Sequence, residues 1–331
     1  MEHMLTTYIR TKLIFNQRFN DLKDYSTVRL YIYELDKLGF NNGPLLYSLR
    51  EKGEIWYDKK GNFKVMRDGP VDPGLLLITK KRVKERLPLS PLHLWMRHQL
   101  LYVELPIPKK DLPVYFKAFL DHRHEDLGLF FTVDAFSQRV HTPVVNLKGD
   151  LRHSLRFYGK PVVSLDVKQM QPTILGKVLQ GCIGDNPFSK AIDAGEDVYV
   201  LLQRSAGLAT RPEAKKLLFQ LIFGKPRKEL VDLFKGDAGF VNWINEYKSK
   251  VEPRNPHKSD KHTNLAWLLQ YSEVMVMTEI WQGLKDSNIP FLTIHDDILC
   301  GVPNKDRAYM VMERVLKKHF VHFNIVVNHG D

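Results

Sequence analysis

Two adjacent carboxylates, Asp296 and Asp297, follow His295 between apolar arms, Phe291-Leu292-Thr293-Ile294 before them and Ile298-Leu299-Cys300 after. Apolar arms around a tight polar centre predict a β-hairpin with its acids at the turn. Neighbouring carboxylates repel unless a cation lies between them and a third group, and a divalent metal is the usual cation. The plain alternative is a solvated turn between two strands. A third acid bears on that choice. The run Val162-Val163-Ser164-Leu165 reads as a short buried strand ending on Asp166, and a buried strand holds a metal ligand rigidly. Acids on two such elements can meet over two metals about 3.5–4 Å apart and drive an in-line phosphoryl displacement.

A second constellation lies between these acids. Arg211, Lys215, Phe219 and Phe223 recur every four residues before Gly224. On a helix they form one slowly drifting stripe. Thr210 can cap that helix, and Pro212 suits its first turn. Two cations followed by two rings fit a triphosphate at one end and a sugar and base at the other. The competing reading is an amphipathic helix whose Phe219 and Phe223 belong to the core.

Further elements must position these groups. A strand at 130–133 leads into a polar loop, 136–147, with Arg139 at its head and Asn146 seven residues on. After Asp166, Gln171 and Pro172 open a helix over 173–179. Another helix starts near Asp197, and a long one over 264–284 carries Gln270, Tyr271 and Glu273. An amphipathic helix over 305–319 and a closing strand over 323–327 follow the hairpin. Upstream, residues 1–70 alternate aromatic and basic residues, with a helix expected over 25–39 and a hairpin over 56–65. That pattern fits a small winged module gripping a backbone, or equally a half-buried basic surface over core aromatics. Helices are expected over 91–97 and 111–120, after a basic run at 80–86 that leans towards phosphate contact.

The charge of +11 over 331 residues favours a polyanionic partner. No apolar run reaches the roughly 18 residues of a membrane span, so no membrane partner is expected. The N-terminus lacks the pattern of a secretory signal. The two cysteines, Cys182 and Cys300, are far apart, which argues against a disulfide framework or a zinc site and fits a reducing, cytoplasmic setting.

Taken in order, the Arg139 loop, the strand-ending Asp166, the Arg-x3-Lys-x3-Phe-x3-Phe-Gly helix and the His-Asp-Asp hairpin resemble the palm and fingers of family A, Pol I-type DNA polymerases. That family's motif A is a strand ending in Asp, its motif B an Arg-x3-Lys-x3-Phe-x3-Tyr-Gly helix, and its motif C a His-Asp-Glu turn between apolar strands. The loop at 137–147 is similar to the family's Thr-Gly-Arg segment, and Asp197-Val198-Tyr199 to its Asp-Ile-His helix start. The resemblance covers about 130–331 and extends more distantly to single-subunit phage-type RNA polymerases.

The resemblance implies an α+β fold: a right-hand polymerase palm, an antiparallel sheet with helices, plus helical fingers. It implies a basic N-terminal module over 1–74, a thumb-like helical region over 75–130, and palm and fingers over 131–331, the fingers at about 185–262. Asp166 and Asp296 would hold two Mg²⁺ ions, or Mn²⁺, with the Val167 carbonyl as a further ligand and Asp297 as a supporting acid. Arg211 and Lys215 would neutralise a nucleoside triphosphate, with Lys215 protonating pyrophosphate. Phe219 would stack on the incoming base, with Phe223 and Gln171 lining the sugar. Arg139, Asn146, Gln270 and His295 would contact primer-template nucleic acid. The implied function is a DNA polymerase without proofreading, because the stretch before 130 is too short for an exonuclease and a thumb.

Three departures bear on this. Phe223 stands where the family has Tyr, Gln171 where the DNA enzymes have Glu, and Asp297 where they have Glu, so sugar choice is open. An RNA polymerase or primase of the single-subunit type is the alternative. A non-catalytic nucleic-acid-binding protein would not need both acids and both cations, and a metal-dependent nuclease would not need the 211–224 helix.

Overall fold

The computed structural model describes residues 5–9, 28–29, 43–57, 62–65, 87–108, 111–124, 131–226, 238–256 and 260–329. Its centre is one antiparallel sheet. The strands are β1 (Val103–Glu104), β4 (Arg156–Phe157), β5 (Lys160–Val167), β6 (Phe291–Ile294), β7 (Asp297–Gly301) and β8 (Ile325–His329). A separate pair, β2 (Thr132–Val133) and β3 (Val140–His141), carries the Arg139 loop. The large sheet runs β1-β4-β5-β7-β6, and β8 also pairs with β5. β5 is therefore covered along both edges. Its Val162, Val163, Leu165 and Val167 are all buried, as the near-continuous apolar run of a central strand requires.

Helices pack around this sheet: α1 (Pro91–Gln99), α2 (Val114–His122), α3 (Met170–Ile183), α4 (Pro187–Asp193), α5 (Val198–Ser205), α6 (Arg211–Phe223), α7 (Ala238–Tyr247), α8 (Asn264–Asp286) and α9 (Lys305–His319). One apolar core joins them, from Leu92, Met96 and Phe116 through the strands to Leu316 and Ile325. The helices expected over 91–97 and 111–120 thus share their core with the sheet. No helix among the described residues is long and apolar enough to cross a membrane.

Two tight reversals set the site. After β5 the chain turns through Gln169, in left-handed backbone at φ 56°, and α3 begins at once. Gln171 is thereby held five residues from Asp166. Between β6 and β7 the loop is only His295 and Asp296. Two-residue hairpin loops need a positive φ at their first residue, and His295 takes φ 58°, a conformation that costs any residue but glycine.

Upstream, Val28–Arg29, Asn62–Val65 and Ile55–Tyr57 form a small antiparallel sheet. The hairpin expected over 56–65 is present. The helix expected over 25–39 is not what forms at Val28–Arg29, which pair with Asn62 and Phe63 as a strand; alternating β-branched and aromatic residues pair when a partner edge is at hand. The rest of that span, and the basic run at 80–86, lie outside the described residues.

Candidate active site

The strand register brings the acids together. Asp297 lies directly opposite Asp166 on neighbouring strands, and directly opposed residues put their side chains on one face. Ser164, two residues before Asp166, shares that face and donates its hydroxyl to Asp297 Oδ1 at 2.7 Å. Asp296 sits one residue earlier, in the turn. Its carbonyl accepts the Val167 N–H at 3.2 Å, which ties the hairpin to the end of β5. In an extended strand the N–H and C=O of one residue point to the same edge, so the Val167 carbonyl is turned towards Asp296.

The acids feel each other. Burial, then the charges of Glu273 and Asp166, push the Asp296 carboxyl up to about 8. Burial raises Asp297 to about 6 against the Ser164 hydroxyl, with Asp166 adding to the rise. Burial also raises Asp166, opposed by Arg152, Lys168 and Lys215. A solvated turn would show none of this. Among the described residues no group of three or more His, Cys, Asp or Glu is arranged to hold a metal ion. Mg²⁺ asks for less: it keeps waters and takes one or two carboxylates plus substrate phosphates. Oxygen donors only, with negative charge packed beyond what burial tolerates, fit that requirement.

The Arg211 stripe lies on α6, and of its residues Lys215 is close enough to Asp166 to oppose its rise. α6 begins with a capping box, Thr210 accepting from the Glu213 N–H and the Glu213 carboxylate accepting from the Thr210 N–H. Its core face is Ala214, Leu217, Leu218, Leu221 and Ile222. Phe219 and Phe223 are each 36% exposed and stack on each other, centroids 5.7 Å apart. The rings therefore lie outside the core, and the amphipathic-core reading of the stripe fails. Lys215 sits 5.7 Å from the Phe219 ring and close enough to Asp166 to oppose its rise. Arg211 gives its Nε to Asp197 at 2.7 Å and stacks over Tyr199 at 4.8 Å. At the far end the buried Lys248 donates to the carbonyls of Leu221 and Gly224, meeting the negative end of the helix dipole.

The four residues expected on nucleic acid divide. Arg139 is half-buried and grips Glu273, from Nε at 3.0 Å and from Nη2 at 2.7 and 2.9 Å. Asn146 donates its amide to the Thr142 carbonyl at 2.9 Å, inside its own loop. Gln270 is half-buried on α8, one helical turn before Glu273. Burial, then the positive charge of Arg139, lowers His295 to about 4, so its ring is neutral near pH 7.

The site also holds residues that motif reading leaves out. Glu273 is 1% exposed; its signal is an acid in helical register with Leu269, Val276 and Ile280 on a buried face. Arg152 and Ser164 line a cavity of about 230 Å³ with Asp166, Asp297 and Asn328. A lone Arg and a Ser inside an apolar strand carry no spacing signal of their own.

No protein-family model matches the chain, and no curated protein matches it. The fold has a solved counterpart. It is similar to the POL domain of Pol1 from M. smegmatis, solved in complex with DNA primer-template and dNTP, at a TM-score of 0.50 and 12% identity. The match covers 67% of this chain and 51% of that one, so the chain spans about half the length of its counterpart. The α+β palm-and-fingers architecture expected from the motifs is the observed fold.

Proposed function

We propose that this chain is a template-directed nucleotidyltransferase, a DNA polymerase that extends a primer by phosphoryl transfer. The observation that carries the reading is the register that opposes Asp297 to Asp166 beside the Asp296 turn, with Lys215 of α6 close enough to act on Asp166 and Phe219 and Phe223 exposed on the same helix. The primer-template and dNTP bound by the structural counterpart support the same substrate class. Asp166, Asp296 and the Val167 carbonyl would hold the metals, and Asp297, oriented by Ser164, would support them. When bound, Mg²⁺ or Mn²⁺ would lower the pKa of the attacking hydroxyl and neutralise charge on the leaving group.

The chain's own residues do the rest. Lys215 faces the triphosphate from α6 and can give a proton to the departing pyrophosphate as the new O3′–phosphorus bond forms. Arg211 adds charge at the same end, its Nε edge already held by Asp197. Phe219 offers a flat face to the incoming base, and Phe223 and Gln171 border the sugar. Neutral His295 and the Gln270 amide offer uncharged hydrogen bonds at the primer-template junction.

Primer extension with Mg²⁺, offering dNTPs or rNTPs on DNA and RNA templates, tests the reading. Asp296→Asn should abolish product, and an unchanged product would refute the reading. Lys215→Ala should cut incorporation at least 100-fold while template binding changes less than about 3-fold, the loss expected when a single transition-state donor is removed. Salt-sensitive binding without incorporation by the wild type would identify a binding protein on a polymerase fold.

A further inference from the structure

The turn between β4 and β5 lies at the opposite end of β5 from Asp166, about 20 Å away at about 3.3 Å per residue. It consists of Tyr158 and Gly159 alone. A two-residue turn with positive φ at both positions favours Asn-Gly or Gly-Gly. Here Tyr158 takes φ 51° and Gly159 φ 68°. A bulky residue in left-handed backbone is strained, and such strain persists only where the surroundings impose it. What the strain achieves is the presentation of a ring. Tyr158 stacks on Tyr102, centroids 4.1 Å apart and planes 13° from parallel. The two residues are 42% and 37% exposed. Both are held in place. The Tyr158 hydroxyl donates to Oε1 of the buried Gln99 at 2.9 Å, its N–H donates to the Tyr102 carbonyl at 3.0 Å, and Phe157 and His98 meet the pair edge-on. A single exposed apolar side chain is ordinary; two fixed, stacked rings at the surface form a platform. Its neighbours are cationic. Arg156 and Lys160 flank the turn, and both are exposed, as is His98. Glu104, opposite Arg156 on β1, offsets one of these charges.

We propose that the Tyr102–Tyr158 stack is a platform for a base of an unpaired DNA strand, with Lys160 and Arg156 against its phosphates. Every base has a π face, so stacking on an aromatic ring tolerates any sequence, and cations beside the ring follow the backbone. Bases inside a duplex have both faces covered, so the platform separates single strand from duplex. A proline-rich peptide also docks on aromatic rings, but the flanking cations favour an anionic strand. The site goes beyond the nucleotidyl transfer proposed above and does not depend on its acids.

The test uses the full chain in a chelating buffer with a thymidine oligonucleotide carrying 5-iododeoxyuridine. After irradiation, mass spectrometry of the peptides should place the adduct on Tyr102 or Tyr158, and a blunt duplex should compete poorly for it. In equilibrium binding of the same oligonucleotide, Tyr158→Asn should weaken affinity about 10-fold, the share of one stacked base. Its urea midpoint should stay equal or rise, because Asn accepts left-handed backbone. Tyr158→Phe keeps the ring and should bind within about 2-fold of wild type. If Tyr158→Asn does not fold, Tyr102→Leu carries the comparison. Adducts only at other residues overturn the inference, as does wild-type affinity in Tyr158→Asn. A Tyr158→Asn chain that loses stability yet keeps its affinity shows a purely structural ring and overturns it too. Each of these results, beside normal primer extension by the wild type, leaves the proposed function standing.

Discussion

Replacing Asp296 by Asn should stabilise the metal-free protein. Its carboxyl has an ordinary value of 3.8 and is pushed up to about 8 in the fold, by burial first and then by Glu273 and Asp166. The folded state thus holds a proton that the unfolded chain releases above pH 3.8. Where the folded state binds more protons, stability falls as pH rises, so the loss runs from pH 3.8 to about 8. By pH 7 it reaches about 4 kcal/mol at about 1.36 kcal/mol per pH unit. Solvent reaches part of the turn, and halving for that screening leaves about 2 kcal/mol. Asn keeps the shape and cannot ionise. Urea unfolding in a chelating buffer should show Asp296→Asn about equal to wild type at pH 4 and about 2 kcal/mol more stable at pH 7. A smaller decline should persist in the variant, because Asp297 is raised to about 6. Parallel wild-type and variant curves from pH 4 to 8 would refute the argument and return the pair to a solvated turn.

The other expectations concern metal, stripe and helix end. Mg²⁺ or Mn²⁺ binding at pH 7 should release a proton, read by titration calorimetry in two buffers of different ionisation enthalpy, and Asp296→Asn should lose the release. Phe219→Ala should change urea stability by less than about 0.5 kcal/mol, because the ring is exposed, yet raise the nucleotide KM about 10-fold in primer extension. A large stability loss would put the ring back in the core. Lys248→Met should cost about 1–3 kcal/mol in urea unfolding, since it strands the buried carbonyls of Leu221 and Gly224. A neutral result would show that water satisfies them.

Much of this protein is written locally. The Thr210 cap, Pro212 and the four-residue stripe define α6 without help from the rest of the chain. Apolar arms around two polar positions define the β6–β7 hairpin, and a β-branched run defines β5, because each pattern needs only neighbours along the chain. The order of the four motifs was enough to anticipate a polymerase palm. What local pattern could not decide was burial and partnership. Whether Phe219 and Phe223 face core or solvent depends on which side of α6 meets α5 and α8. Whether Asp296-Asp297 is a wet turn depends on strand register, since only pairing with β5 sets Asp297 against Asp166 and ties Asp296 to Val167. Val28 and Arg29 take a strand because Asn62 and Phe63 offer an edge. Glu273 stands furthest from sequence reading. It is one acid on a long apolar helix, and its meaning arises only when Arg139 and Gln171, 134 and 102 residues away, close around it. Propensity and periodicity act over a few residues, so the sequence alone determined the elements and the residue types that could do chemistry. Opposed charges, buried acceptors and strand register are long-range, so only the tertiary structure decided which of those residues meet.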